Sequence, residues 1–218
     1  MELKPFVTLS ASHGARGSRI GPAVAAQLGV PFFDRAISAQ VADLLGMSTD
    51  DPVLREQRPS GFLERMLANV APMSSLYGVT DLLVGTVPSV LSEQEYRAEV
   101  DRVIRAAADG AAGGVLLGRA GAVVLAEHPR ALHVRLDAPP SRRIPLICQE
   151  FGVDDKQAAK DLRNNDAARE AYVKQLYNSD AEDPGLYHLV LDSTAIPVPI
   201  CVDLIAMAAL ARNRQLAP

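Results

Sequence analysis

The sequence predicts an α/β protein in which helices cover both faces of a parallel sheet. Short apolar runs alternate with longer stretches that carry apolar residues at helical spacing. Glycine-containing or charged segments follow these runs around Gly14, Asp34 and Arg119. Because such sheets bind ligands at the carboxyl ends of their strands, these three points are the first candidates for a functional site.

Five short apolar runs are predicted to be strands, at residues 6–10, 30–33, 115–117, 131–136 and 187–191. Apolar residues at helical spacing predict helices over 19–28, 37–45, 93–112, 154–178 and 199–211, and further helices are expected after Arg119 and Pro139. Gly29 ends the first helix, where a left-handed residue is commonly needed. Four prolines between positions 52 and 88 predict that residues 48–92 form short helices and loops.

The composition favours one well-buried domain. The chain has 218 residues, of which 48% are hydrophobic and 22% are charged, which is ample for one core but small for two. We therefore expect residues 1–218 to form a single domain.

Charge and targeting signals disfavour several classes of partner. The 22 Lys and Arg residues against 26 Asp and Glu residues give a net charge of −4, so no global field attracts nucleic acid or an anionic membrane. The sequence has neither the pattern of a signal peptide nor an apolar run of the roughly 20 residues that a membrane helix needs. Cys148 and Cys201 lack metal or redox spacing, which is typical of reduced thiols, although a disulfide between them stays open. We expect a cytoplasmic protein without nucleic-acid or membrane partners.

The segment between the first strand and the first helix has the character of a phosphate-binding loop. Backbone N–H groups and the helix dipole can together hold a phosphate at such a position. The candidate residues are Gly14, Ala15, Arg16, Gly17, Ser18 and Arg19. Here Arg16 and Arg19 supply charge, and the Ser18 hydroxyl supplies an oxygen ligand for Mg²⁺.

This loop departs from the Walker pattern G-x-x-x-x-G-K-[ST]. The pattern, aligned on Ser18, requires Gly at Ala11, Gly at Arg16 and Lys at Gly17. On local sequence alone, a glycine-containing turn that opens a helix with surface arginines explains the segment equally well.

Seven ordered segments resemble the cytidylate-kinase-like family. They are residues 7–10, 14–21, 28–35 (LGVPFFDR), 115–122 (VLLGRAGA), 133–144, 166–172 (DAAREAY) and 183–194. The resemblance covers most of the chain outside about residues 50–110, which have no motif of the family. Each segment alone is weakly specific, whereas the ordered set is fairly specific.

The resemblance implies a three-layer P-loop NTPase fold with a helical insert at about residues 50–110 and a lid with acceptor-binding helices at about 140–180. It further implies ATP and Mg²⁺ as cofactors, with phosphoryl transfer to a nucleoside monophosphate or another small acceptor. This sequence differs from the family at Arg16, which replaces a usual Gly, and at Ser18-Arg19, which replace Arg-Glu. Ala120 follows Arg119 where cytidylate kinases carry a base-reading Asp, so cytosine specificity is unsupported.

The resemblance assigns further residues to the acceptor and to the lid. The expected acceptor-binding residues are Asp34, Arg35, Arg119, Arg163, Asp166 and Arg169. The expected catalytic arginines are Arg16, Arg19, Arg119, Arg142 and Arg143, the last two beginning the helix that leads to the lid. Two simpler interpretations remain: Asp34 as a helix N-cap, and the 163–169 charges as a solvated ion-pair ladder.

Three functions are compatible with these features. The first is an ATP-dependent phosphotransferase, and the second is a nucleotide-binding or regulatory protein that keeps the fold without transfer, which the missing lysine favours. The third is a structural subunit with an interface in the apolar residues 62–91. The same segment leads us to expect a homodimer.

Overall fold

The alternation of apolar runs and helical stretches produces a five-stranded parallel sheet covered by helices. The computed structural model of the protein describes residues 3–34 and 93–215. Its strands are β1 (Phe6–Ala11), β2 (Phe32–Phe33), β3 (Gly114–Leu117), β4 (Ala131–Asp137) and β5 (Leu189–Asp192). Its helices are α1 (Gly17–Leu28), α2 (Glu93–Asp109), α3 (Gly121–Val124), α4 (Pro140–Phe151), α5 (Asp155–Tyr177) and α6 (Val198–Arg214), with a 3₁₀ turn at Pro184–Leu186.

The strand order β2-β3-β1-β4-β5 places β1 at the centre of the sheet. All pairs are parallel, and Phe6 of β1 lies opposite both Gly114 of β3 and Ala131 of β4. The chain leaves β1 between two neighbours that come later in the sequence, which is the switch point where ligands bind in open α/β sheets. The loop after β1 therefore lies at the expected crevice.

Two apolar layers hold the helices against the sheet. On one face, buried residues of β1 and β4 such as Leu9 and Leu136 pack against α1 and α6. On the other face, Phe6 and Leu116 pack against α2 and α3. Ile104 of α2 and Leu125, which follows α3, are fully buried there. Burial of each such side chain stabilises the fold by about 1.5–3 kcal/mol relative to exposure. The three-layer α/β architecture predicted from the sequence is confirmed.

The second strand is shorter than its apolar pattern suggests. Val30 was expected to begin it, but its amide donates to Ala25 O at 3.0 Å and so completes the end of α1. Pro31 has no amide to donate. Strand pairing consequently begins at Phe32.

The other predicted elements differ from the structure mainly at their ends. The first helix begins at Gly17, two residues before the expected start, because the left-handed Arg16 forms its N-cap. The predicted helix over 37–45, the short helices over 48–92 and the apolar segment 62–91 lie outside the described residues. In the described ranges, none of the helices is both long and apolar enough to span a bilayer.

Candidate phosphate-binding and acceptor site

The loop between β1 and α1 leaves several backbone amides available. Gly14 and Arg16 adopt left-handed conformations, with φ of 79° and 59°. Among the described residues, no acceptor is bonded to the amides of Gly14, Arg16, Gly17 or Ser18, whereas His13 N donates to Asp166 Oδ1 at 2.9 Å. Amides without an acceptor at the start of a helix are the arrangement that an anion-binding loop requires, so this loop is the candidate phosphate site.

Close packing explains two glycines of this loop. A Cβ on Gly14 would lie 2.8 Å from Ile147 Cγ1, and the positive φ independently favours glycine. A Cβ on Gly17 would lie 2.5 Å from the Cβ of Ala11. Ala11 is the position where a Walker loop has its first glycine, and Gly17 is the position of its lysine. The methyl group of Ala11 therefore occupies the space that the Cβ of a Walker lysine needs.

The end of β5 supports the loop from one side. Arg16 Nη1 donates to Ser193 O at 3.1 Å, and the buried Ser193 hydroxyl donates to Ala15 O at 2.7 Å. Both bonds join the loop to a residue that follows β5 directly. The loop is thus held in shape by contacts that leave its other amides open.

Helices α4 and α5 support the loop from the other side. Arg143 is buried; its Nε donates to Ala138 O at 2.7 Å, and its Nη1 donates to His13 O at 2.9 Å and to Asp166 Oδ2 at 2.6 Å. Asp166 thus accepts from both the loop and Arg143. Burial lowers the pKa of the neighbouring His13 below its ordinary value, opposing the raising effect of Asp166.

Strand β4 contributes two charged residues that the sequence analysis did not select. Arg135 is buried, and Asp137 ends the strand beside the buried Ser12. Burial alone raises the pKa of Asp137, but bonds from the Ser12 hydroxyl, the Ala138 amide and Arg135 hold the pKa below its usual value. The signal was present in the sequence, because His133, Arg135 and Asp137 alternate with apolar residues and so lie on one face of the strand.

Arg169 of α5 lies beside Ser12 and has guanidinium nitrogens without an acceptor. Its Nη2 lies 3.4 Å from Ser12 Oγ and 3.9 Å from Glu182 Oε1. Its Nε and Nη1 are buried, and the structure gives neither of them a hydrogen-bond acceptor. Burial, followed by the charge of Arg135, lowers the pKa of Arg169 from its ordinary value. A largely buried guanidinium with unpaired donors beside the candidate phosphate loop is a candidate site for an anionic ligand.

The turn after β3 reaches the same edge of the sheet. Gly118, Arg119 and Ala120 all have positive φ, at 79°, 56° and 53°. Arg16, Arg119 and Ala120 make up three of the four described non-glycine residues with positive φ, and backbone strain of this kind clusters at functional sites. Asp34 lies exposed at the carboxyl end of β2, and Arg35 lies outside the described residues.

The remaining predicted residues lie towards solvent. Ser18 is exposed and its hydroxyl lies 3.3 Å from Glu150 Oε1, while Arg142 pairs with Asp192 Oδ2 at 2.7 Å. Arg19 and Arg163 are exposed. The described residues contain no group of three metal-ligating side chains. Since Mg²⁺ in nucleotide sites takes most ligands from phosphates and water, the Ser18 oxygen at the loop suits it as a single protein ligand.

Comparison with known proteins bears on the family and the fold of the chain. The sequence model of the Cytidylate kinase-like family matches residues 6–195 of this chain. A solved structure of an uncharacterized protein from Eubacterium ventriosum superimposes with a TM-score of 0.65 at 13% identity, over 95% of this chain and 99% of that one. At this identity the likeness shows the fold alone.

Two further resemblances are weaker. Shikimate kinase from Acinetobacter baumannii, solved in complex with shikimate, has a TM-score of 0.46 at 15% identity over 99% of this chain and 97% of its own, which is too low to support an argument. Uronate isomerase of Corynebacterium glutamicum is 31% identical over 93 residues, or 43% of this chain. The match spans 18% of the length of that relative.

Proposed function

The chain belongs to the cytidylate kinase-like family, and from this premise we propose that it transfers the γ-phosphoryl group of ATP to a nucleoside monophosphate or another small acceptor. The observation that supports the proposal is that two groups of donors without an acceptor lie at one edge of the sheet. One consists of the amides around Gly14, and the other is the guanidinium of Arg169, whose Nε and Nη1 are buried. A transfer enzyme needs donor and acceptor sites side by side.

The donor phosphates bind the loop amides in this proposal, and arginines supply the charge that a Walker lysine would give. Arg19 is in the first turn of α1, where side chains point back towards the N-terminus and hence towards the loop. Arg16 already donates to Ser193 O and is well placed to fix the loop. Catalysis of this type needs positioning and charge neutralisation, and no protein nucleophile.

The acceptor binds the residues that follow the neighbouring strands. We assign Arg119 and Arg169 to its anionic group, because a guanidinium can grip a phosphate through two parallel bonds. Asp34 and Arg35 contribute at the end of β2, and Asp166 orients the guanidinium groups around it. Arg142, Arg143 and Arg163 belong to the helices that close over the site, with the buried Arg143 holding the loop in position.

Mg²⁺ supplies charge neutralisation between the donor phosphates when it is bound. Ser18 would hold it, with Glu150 3.3 Å from the Ser18 hydroxyl as a nearby carboxylate.

A second function is favoured by one specific observation. Ala11 occupies the space that a lysine at position 17 would need, so the loop lacks the usual cation of a P-loop kinase. A protein that binds nucleotide without transferring phosphate would tolerate this loss.

One experiment separates the two functions. Thermal unfolding is recorded over a panel of nucleoside monophosphates and small metabolites, with and without Mg-ATP, and ADP formation is measured in parallel. A transferase is stabilised by ligand and forms ADP with at least one acceptor, whereas a binding protein is stabilised without forming ADP. If neither Mg-ATP nor any acceptor shifts the unfolding temperature, the proposed function fails.

A further inference from the structure

Glu182 lies between two arginines at the candidate acceptor site. Its Oε1 accepts from Arg135 Nη2 at 2.8 Å and lies 3.9 Å from Arg169 Nη2. The two arginine side chains are 4% and 20% exposed, whereas that of Glu182 is 56% exposed. A carboxylate on a solvent-facing turn thus reaches inward to two largely buried cations.

The turn that carries Glu182 is fixed independently of its side chain. Ala181 O accepts from Arg135 Nη1 at 2.7 Å and from the Tyr187 hydroxyl at 2.8 Å. The amide of Glu182 donates to Asp180 Oδ1 at 2.8 Å. Rotation of the Glu182 side chain into solvent therefore breaks its own contacts and leaves the backbone of the turn in place.

The single carboxylate does not satisfy the two cations. Arg135 also donates to Asp137 Oδ2 at 3.2 Å, but Arg169 keeps two buried nitrogens without an acceptor. Unpaired buried donors on a guanidinium are costly, and a ligand with more negative charge and more oxygens can satisfy them. A phosphate monoester offers two charges and three acceptor oxygens, whereas a carboxylate ligand would only repeat what Glu182 provides.

We propose that Glu182 is an internal competitor, which occupies the acceptor's anion subsite between Arg135 and Arg169 until the anionic group of the acceptor displaces it. This inference rests on the proposed function, which assigns Arg169 to the anionic group of the acceptor. Glu182 acts as an internal competitor that lowers affinity for other anions.

The test is the binding of inorganic phosphate to the full chain by calorimetry, without nucleotide. Glu182→Gln removes the competing charge and keeps the size of the side chain. We expect it to tighten phosphate binding by about tenfold, because a charge-assisted contact contributes at least that factor. Asp183→Asn is the matched control, since it makes the same charge change on the next residue, whose carboxylate accepts from Gly185 N rather than from an arginine.

Two further measurements test whether the tighter phosphate binding depends on Arg169 and on the phosphate group. In the Glu182→Gln background, Arg169→Lys should abolish most of the gain, because a lysine cannot present several donors in one plane. Acetate in place of phosphate should gain little from Glu182→Gln. The proposal is overturned if Glu182→Gln binds phosphate no more tightly than the natural chain, if Asp183→Asn gains equally, or if acetate gains as much as phosphate.

Because this titration requires no phosphoryl transfer, its failure is distinct from failure of the proposed function. A gain in phosphate binding without ADP formation would support the role of Glu182 and reject the proposed phosphoryl transfer. ADP formation without tighter phosphate binding in Glu182→Gln would support phosphoryl transfer and reject the role of Glu182.

Discussion

At the scale of single residues, the methyl group of Ala11 fills the volume that a side chain at position 17 would need. The Cβ of a residue at 17 would lie 2.5 Å from that of Ala11, closer than two carbon atoms can approach without a shift of the backbone. A lysine introduced alone at this position must therefore displace the end of β1 or the start of α1.

We expect Gly17→Lys to destabilise the protein by about 1–3 kcal/mol, as overpacking does in a close-packed site. Ala11→Gly with Gly17→Lys should recover most of this loss and should bind Mg-ATP more tightly than the natural chain. Urea unfolding and ATP titration measure the two effects. Equal stability of the single and the double variant would show that the two side chains do not compete for space.

The two arginines of the loop should respond differently to removal. Arg19→Ala should lower the transfer rate by about 10²-fold with little loss of stability, since Arg19 is exposed and its charge acts on the transferred group. Arg16→Ala should lower stability as well, because it loses the bond to Ser193 O. Unfolding curves and rates of ADP formation separate the two roles. Unchanged ATP binding and rate in both variants would place the donor charge elsewhere.

At the scale of secondary structure, strand β4 alternates apolar and polar residues. Leu132, Val134 and Leu136 face α1 and α6. The alternate residues His133, Arg135 and Asp137 face the other side of the sheet. His133 Nε2 donates to Leu125 O at 3.1 Å, and its Nδ1 accepts from the Thr8 hydroxyl of β1 at 2.8 Å. In the neutral ring, Nε2–H donates and Nδ1 accepts, so the contacts satisfy both ring nitrogens without a charge.

This arrangement predicts a pH-dependent stability. Burial, with His188 as the next cause, lowers the pKa of His133 to about 4 from 6.5, so the unfolded chain binds more protons between these values. The stabilisation is present above pH 6.5 and is lost as pH falls towards 4, by about 3 kcal/mol in total.

Urea unfolding between pH 7 and pH 4 measures the effect. His133→Gln keeps a donor for Leu125 O but does not titrate, so its stability should be lower at pH 7 and depend less on pH. An identical pH dependence in the variant would assign the effect to other groups, such as His13 and His188, whose pKa values are also lowered.

The order of elements could be read from the sequence, but several contacts of the site could not. Strand and helix periodicity identifies β1, β4 and α5, because it depends on local spacing alone. The contact of Arg169 with Ser12 joins residues 157 positions apart, and it depends on how α5 packs over the sheet. The role of Glu182 depends on the same packing, and no local pattern marks it.

At the scale of the whole molecule, the described surface has an apolar stripe on α6. Ile200, Leu204, Met207 and Leu210 are 48%, 36%, 65% and 41% exposed, and their spacing of three and four residues places them on one face. The homodimer was expected from residues 62–91, which lie outside the described ranges. The apolar stripe on α6 is a candidate dimer interface within the described residues, because a two-fold symmetric dimer packs the same patch of both subunits together.

We therefore expect the protein to sediment as a dimer, and Met207→Lys to shift it towards monomer, because a charge at the centre of an apolar contact is costly. Gln94→Lys makes the same charge change on an exposed position of α2 and should leave the dimer intact. Sedimentation velocity over a range of concentrations measures both. A monomeric natural chain, or equal dissociation by both variants, would contradict the assignment.

The shared space of Ala11 and Gly17 also constrains the order in which the loop can change. Ala11→Gly removes a methyl group and opens room, so it can occur first at a modest cost in backbone entropy. Lysine at 17 can then follow without a clash, whereas the opposite order passes through the destabilised single variant. Substitution at position 11 must therefore precede substitution at position 17 if a Walker lysine is to arise in this loop without a destabilised intermediate.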